Sequence, residues 1–385
     1  MEKRNKVILI SCDSPRSLLD FRGKLMDALL VDHEVHVFTP PITQGPIALQ
    51  LKSMGVITHE NQLQPSTVHV TSDLKYISDL YRLLRKLKPD IFFPYTFKPV
   101  IYGTVVARIC GVRTIAPMLT GLGYNFSEHT DRVTPLQRVV RLLLKISLLP
   151  HGNLRLILQN NDDCANLRQH NIITAKTKVH VVNGSGVDLD HYHYSEPDPG
   201  KVRFLMVSRL IKAKGVEEYY HAARVVKASF PDTRFTLIGA YEENVDTIDA
   251  ELYQRILSDG VLDYVGLVTD VRPYIKDASV VVLPSYYGEG VPRCLLEAMA
   301  MGRAIITCDS VGCRETVNLH KKQTNGFLVP RKDAQQLASR MEYYINNKSD
   351  ISRFGRNGRK YAAEKFDVHE INKVMVNILS GTTQD

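Results

Sequence analysis

The sequence predicts an α/β protein made of two doubly wound, parallel-sheet domains, and three observations carry that expectation. A chain of 385 residues exceeds the roughly 250–300 that one hydrophobic core serves. Short apolar, β-branched runs alternate with helix-like segments along the whole chain, the pattern of parallel strands joined by crossover helices. A polar stretch with proline and glycine, "HYHYSEPDPGK" (191–201), parts these runs into two series, each with enough strands for its own sheet.

In chain order, the first series of strands is "KVILIS" (6–11), "EVHVFTP" (34–40), "DIFFPY" (90–95), "RTIAPML" (113–119), "RLILQN" (155–160) and "VHVVNGSG" (179–186). The second is "VRFLMVS" (202–208), "RFTLIG" (234–239), "DYVG" (263–266), "ASVVVLPS" (278–285), "RAIITCDS" (303–310) and "GFLVP" (326–330). Helix-like segments fall near 16–30, 75–88, 135–148, 215–229, 292–302 and 333–347. Continuous apolar strands such as "VVVLP" suit a parallel sheet covered on both faces. The expected organisation is a domain over 1–195, a second over 196–366, and a last helix over 367–385 long enough to pack back on the first domain. Ligands of such sheets bind beyond the carboxyl ends of the strands, so a cleft between the domains is the expected site.

Composition narrows the function. Hydrophobic residues make up 44% and charged residues 23%, as in ordinary globular proteins. The apolar run after "MEKRNK" stops at VILI, too short for a signal-peptide core, and no run approaches the ~20 apolar residues of a membrane span. The six cysteines are scattered without a CxxC pair, which argues against zinc and a disulfide framework and suits a reducing cytoplasm. "DLD" (188–190) formally matches an Asp-x-Asp metal motif but follows the apolar run at 179–182 in a linker-like position, and the two histidines of "HYHY" (191–194) lack nearby Cys or carboxylate partners in a recognised site. A net charge of +8 points to a polyanionic or phosphorylated partner. Nucleic acid is the weakest such partner, because there is no Trp and no basic stretch interleaved with stacking aromatics.

The stretch "YYGEGVPRCLLEAMAMG" (286–302) carries the chemistry. Glu289 lies in a glycine-bearing turn, and Glu297, seven intervening residues later, lies on an apolar helix. Pro292 suits the first helical position, and a helix start with its dipole favours an anion. An acceptor-only carboxylate at Glu297 suits the two hydroxyls of a vicinal diol. The bland alternative is that Glu297 pairs with a nearby arginine while Glu289 caps a loop. In "VSRLIKAKGVEEYY" (207–220), Arg209 leaves a strand end and Lys214 stands before a helix. A guanidinium fork and a point charge at such a place describe a diphosphate clamp, although loop cations are also common on solvated surfaces.

With "RLIKAKG", the run from Tyr264 to Val317 and "NGFLVP" in view, the second half resembles glycosyltransferase family 4, the retaining nucleotide-sugar transferases of the GT-B fold. The resemblance implies that Arg209 and Lys214 bind the donor diphosphate, Glu297 the ribose, and Glu289 the donor sugar near its reacting carbon. It places Gly290, Val291 and Pro292 along the sugar and phosphates, and Val265 and Gly266 in the base pocket. It implies no cofactor and no metal, the nucleotide sugar being a co-substrate.

The first half is thinner in signal. Where many relatives carry a glycine-rich loop, this chain has "SCDSPRSLLDFRGK", with its first glycine at Gly23. "FKPVIYGTVVARICGV" (97–112), "TGLGYNF" (120–126) and "VVNGSGVDLDHY" (181–192) resemble bacterial transferases, N-acetylgalactosaminyltransferases among them, that extend undecaprenyl-diphosphate-linked sugars. Arg16 and Lys98 are the acceptor-side candidates, or else ordinary loop cations. Within 132–155, Arg138, Arg141 and Lys145 recur at steps of three and four beside a run of leucines, isoleucine and valines. Such a helix either lies in the headgroup region of an anionic bilayer or packs in a core with one solvated face.

The implied reaction is transfer of a hexose or N-acetylhexosamine from a UDP-sugar to a lipid-linked glycan, by a cytoplasmic enzyme peripheral to the membrane. The rivals are a transferase with a soluble acceptor, a nucleotide-sugar 2-epimerase of similar architecture, and a binding module without catalysis. The intact Arg209, Lys214, Glu289 and Glu297 set argues against the last.

Overall fold

The structure is a computed structural model that describes residues 5–42, 45–64, 70–126, 134–198, 200–242 and 246–381. Arg132 and Val133, at the head of the basic amphipathic stretch, lie outside the described residues, as do the side chains of Tyr124 and Asn125 in "TGLGYNF". The chain forms two compact units, Met1–Ser185 with His369–Asp385, and Gly186–Val368.

The first unit runs β1 (Lys6–Ser11), α1 (Pro15–Leu30), β2 (His33–Thr39), α2 (Pro46–Met54), β3 (Ile57–Glu60), α3 (Val70–Leu87) and β4 (Ile91–Pro94). A π-helical turn (Pro99–Gly103) then leads to α4 (Thr104–Ile109), β5 (Thr114–Ile115), α5 (Pro135–Ser147), β6 (Leu156–Leu158), α6 (Asn161–Gln169) and β7 (Val179–Val181). Five strands form a parallel sheet in the order β3-β2-β1-β4-β5, and β6 and β7 pair separately. The order reverses between β2-β1 and β4, so the switch point of this unit lies between the ends of β1 and β4.

The second unit runs β8 (Arg203–Val207), α7 (Val216–Ser229), β9 (Arg234–Ile238), α8 (Ala250–Ser258), β10 (Asp263–Gly266), α9 (Arg272–Asp277) and β11 (Val280–Leu283). It continues through α10 (Arg293–Ala300), β12 (Ala304–Cys308), β13 (Gly326–Val329), α11 (Ala334–Asn346) and α12 (Lys348–Lys365). Its six strands are parallel in the order β10-β9-β8-β11-β12-β13, with the switch point between β8 and β11. The central strands are fully buried on both faces, as their unbroken Val and Ile runs require.

The units divide at Ser185–Gly186, before the polar stretch that the sequence marks as a linker. Within the second unit, Val187 exchanges backbone hydrogen bonds with Phe366 (2.8 Å) and Val368 (3.1 Å). Gly186 has φ +76° and lies so close to Val368 that a Cβ would come within 2.7 Å of its Cα. Residues 187–195 then belong to the second core: Tyr192 is buried there, and Arg303 donates to Ser195 Oγ at 2.5 Å. The last helix, α13 (Val368–Ser380), buries Ile371, Met375, Ile378 and Leu379 in the core of the first unit.

Candidate active site

Two loops at the switch point of the second sheet hold the predicted charges. The first leaves β8, passes Arg209 and closes in a 3-10 turn, Lys212–Lys214, before Gly215 and α7. The second runs from the end of β11 to α10. The amides of Tyr286 and Tyr287 both donate to the Ala213 carbonyl at 2.9 Å, which ties the loops together. Gly215 makes that approach possible: it has φ +78°, and a Cβ there would stand 2.3 Å from the Pro284 carbonyl oxygen. Gly312, at φ +75°, supports the second loop equally closely, since its Cβ would lie 2.4 Å from the Gly290 carbonyl oxygen.

This framework brings Lys214 and Glu289 into an ion pair, with side chains only 15% and 12% exposed. Ser285 Oγ donates to the same Glu289 oxygen at 3.0 Å, and the Lys214 ammonium lies 5.4 Å from the centre of the Tyr287 ring. Burial alone would lower the Lys214 pKa, but the carboxylate's charge and hydrogen bond outweigh it, so the net shift is upward. The lysine is held as a cation. Arg209 is exposed at the β8 end and close enough to act electrostatically on Lys214. The structure therefore assembles Arg209, Lys214 and Glu289, and shows Glu289 first of all as the counter-charge of the lysine.

The helix α10 starts one residue later than the sequence suggests. Pro292 is its N-cap, with extended ψ 117°, and its carbonyl accepts from Leu295 (3.2 Å) and Leu296 (3.4 Å). Gly290, Val291 and Pro292 are buried immediately ahead of it. Glu297, 10% exposed, receives Arg293 Nη2 at 2.9 Å one helical turn away, as the bland reading of this glutamate anticipates. It also receives a second donor that sequence reasoning missed, Tyr192 Oη at 2.8 Å. Burial, and then the charge of Glu297, raises the Tyr192 pKa, so the phenol stays a donor. Both donors meet Oε1, which fixes the orientation of the carboxylate.

Val265 and Gly266 end β10, an edge strand with a register shift at this point. Gly266 has φ +81° with open space where a side chain would stand, and Val265 is exposed. Beside them is an aromatic group that sequence reasoning also missed. Tyr241 stacks on Tyr253 at 3.8 Å, Tyr253 meets Tyr264 edge-on at 5.8 Å, and Tyr264 Oη donates to Gly239 O at 2.9 Å. The signal for it was three tyrosines in three separate segments, with no local pattern.

A paired lysine and carboxylate, a second oriented carboxylate and an open strand end with aromatics nearby thus gather at the carboxyl ends of this parallel sheet, where ligands of such sheets bind. Comparison with known proteins gives the family. Residues 194–361 match the model described as glycosyl transferases group 1, and residues 20–160 match one described as glycosyl transferase 4-like. A protein of Escherichia coli named as the colanic acid biosynthesis glycosyltransferase WcaL is 30% identical over 76% of this chain and 70% of its own length. The chain belongs to the group 1 glycosyltransferases. This glycosyltransferase is also 24% identical, over 86% of its length and 87% of the relative's, to the N,N'-diacetylbacillosaminyl-diphospho-undecaprenol alpha-1,3-N-acetylgalactosaminyltransferase of Campylobacter jejuni. Among solved structures, Anabaena HepE in complex with UDP-glucose superposes with a TM-score of 0.75 at 19% identity, covering 98% of this chain and all (100%) of that one. The sucrose-phosphate synthase of Thermosynechococcus elongatus gives 0.76 at 18% identity, covering 98% and 99%. Those likenesses establish the fold: two Rossmann-like units of the GT-B class.

The acceptor-side candidates of the glycosyltransferase differ from each other. Arg16 stands in the first turn of α1, more than half exposed, and bonds Asp20 at 3.1 Å. Lys98 follows β4 and is turned inward, donating to Asp73 Oδ1 and to the Gln64 carbonyl, each at 2.8 Å. Tyr102 Oη takes the other Asp73 oxygen at 2.9 Å. Asp13, at the β1 end, feels the positive charge of Lys98, yet burial outweighs it and raises the Asp13 pKa. Lys98 thus serves a buried carboxylate, whatever it offers to a ligand.

Proposed function

We propose that this glycosyltransferase moves a hexose or N-acetylhexosamine from a UDP-sugar to a lipid-diphosphate-linked saccharide, in the assembly of a bacterial surface polysaccharide or protein-linked glycan. The observation that carries the donor side is the pair of cations at the β8–β11 switch point, Lys214 held charged by Glu289 and Arg209 exposed beside it. The acceptor side rests on relatives. The C. jejuni enzyme and a UDP-Gal:alpha-D-GlcNAc-diphosphoundecaprenol alpha-1,3-galactosyltransferase of E. coli, 27% identical over 69% of each chain, are both named for undecaprenol-linked acceptors.

In this reading the anomeric carbon–oxygen bond to the diphosphate breaks and UDP leaves with the electron pair. Arg209 and Lys214 stabilise the charge that develops on it, so no metal is needed. Arg293 and Tyr192 hold Glu297 ready for the ribose hydroxyls, and the strand end at Val265 and Gly266 receives the base. Gly290, Val291 and Pro292 line the sugar and phosphates. The acceptor hydroxyl attacks from the face the diphosphate leaves, its proton passing to a phosphate oxygen, and the anomeric configuration is retained. Glu289 serves twice, as counter-charge to Lys214 and as a contact for the sugar. Arg16 and Lys98 remain the acceptor-side residues of this scheme, Lys98 from its ion pair with Asp73. The lipid anchor of the acceptor places the reaction at the inner face of the cytoplasmic membrane.

The test is a screen of UDP-sugars against undecaprenyl-diphosphate-linked mono- and disaccharides, with product mass and linkage determined. A single product with an α-linkage from an α-donor is expected. Donor epimerisation, or transfer to free sugars alone, would remove the assignment.

A further inference from the structure

We infer that α5 is the surface by which this protein seats on an anionic phospholipid bilayer, its outer stripe entering the headgroup–acyl boundary. This rests on the lipid-linked acceptor of the proposed function but on separate observations. Leu136, Val139, Leu142, Ile146 and Leu149 recur at steps of three and four, and each is 43–57% exposed. Helical geometry puts the first four on one stripe of α5, and Leu149 follows just past its end. The opposite stripe is the buried one, with Gln137, Leu144 and Ser147 against the first unit. Between the two run the exposed cations Arg138 and Lys145, and Arg141, whose guanidinium lies 4.9 Å from the centre of the Phe126 ring. The helix therefore has three faces: one for the protein, one apolar to the outside, and one cationic at the border.

The helix is capped at its start and tied to its neighbour past its end. Thr134 and Gln137 form a reciprocal cap, with Gln137 N to Thr134 Oγ1 at 3.1 Å and Thr134 N to Gln137 Oε1 at 2.9 Å. At the other end Arg108 donates to the carbonyls of Ser147 (2.9 Å) and Leu149 (3.1 Å), which brings the neighbouring Ile109, 70% exposed, to the same margin. A core-facing helix would not leave five large aliphatic side chains in water. Charge chooses the occupant. The sequence of α5 has three cations and no acidic residue, so a second copy of this face would bring like charges together without counter-charges. A bilayer rich in anionic lipid supplies both the acyl region and the negative border.

The experiment is co-sedimentation of the full-length protein with extruded vesicles of phosphatidylglycerol and phosphatidylcholine, and of phosphatidylcholine alone. The wild type should bind the anionic vesicles and release as salt is raised, with much weaker binding to the neutral ones. Val139→Ser/Leu142→Ser, two exposed positions that should not disturb folding, should weaken binding about tenfold or more. Arg138→Gln/Lys145→Gln should weaken it only on anionic vesicles. Unchanged thermal unfolding of all variants confirms that they fold. Binding unaffected by the apolar pair, no binding to anionic vesicles, or a concentration-dependent dimer abolished by Leu142→Ser would each overturn the inference. UDP binding measured without vesicles reads the donor site separately, so its failure would strike the proposed function and leave this surface standing.

Discussion

The carboxyl ends of the two sheets have the same topology and different contents. In each unit the strand order reverses beside a central strand, β1 against β4 in the first and β8 against β11 in the second. In the second, glycines at 215 and 312 let loops touch, Lys214 is packed against Glu289 with 15% of its side chain exposed, and Arg209 stands exposed beside the pair. In the first, the corresponding cation, Lys98, is drawn inward to Asp73 and Gln64, and the acid of the β1 end, Asp13, has its pKa raised by burial. The lesson is that topology offers a binding place at each end and each end commits a lysine to a little-exposed carboxylate, while the second adds an exposed arginine directly beside that pair.

The sharpest way to break that contrast is to remove the cations. Lys214→Ala and Arg209→Ala should each reduce sugar transfer by two orders of magnitude or more in steady-state assays, the scale at which one charge-stabilising donor is lost. Lys98→Met should act instead on stability, because it leaves Asp73, 8% exposed, without its ion pair. A loss of about 3 kcal/mol in denaturant unfolding is expected. If Lys98→Met abolished transfer with stability unchanged, the two ends would be alike after all.

Smaller effects sharpen the picture. Tyr192→Phe removes a donor to Glu297 while keeping the packing, and should weaken UDP binding several-fold by calorimetry with kcat little changed. Arg16→Ala, at an exposed i,i+4 pair, should shift stability by less than about 0.5 kcal/mol.

Titration gives a further contrast within the first unit. Burial pushes the carboxyl of Asp163, at the start of α6, up to about 7 against an ordinary 3.8. Its folded pKa being raised, the group favours folding below pH 4 and loses that contribution as pH rises through 7. Asp163→Asn should therefore raise Tm at pH 8 relative to the wild type and change it little at pH 4.

How much of this the sequence could show depends on the range of each interaction. The strands of the second unit were legible because fully buried parallel strands are unbroken apolar runs. Helix α12 was not, because Gly355 and Gly358 read as breakers, yet a Cβ at Gly355 would lie 2.0 Å from the Gly302 carbonyl oxygen. Edge strand β3, "ITHE", was missed because it is half polar. At the site, Arg209, Lys214, Glu289 and Glu297 were visible because they cluster in two short segments. Tyr192 was invisible as a partner of Glu297, 105 residues away, and "HYHY" looked like a linker. Lys98 looked like any loop cation because Asp73, 25 residues earlier, gives no local signal.

On the proposed reading, the second unit's strand ends form a nucleotide-diphosphate site in which Lys214 supplies charge and Glu297 grips the ribose. Isothermal titration of UDP into the wild type, Lys214→Ala and Glu297→Ala, with unfolding curves to show that each variant folds, measures this directly. Binding by the wild type and at least a tenfold loss of affinity in each folded variant are expected. Equal affinity across the three proteins would contradict it.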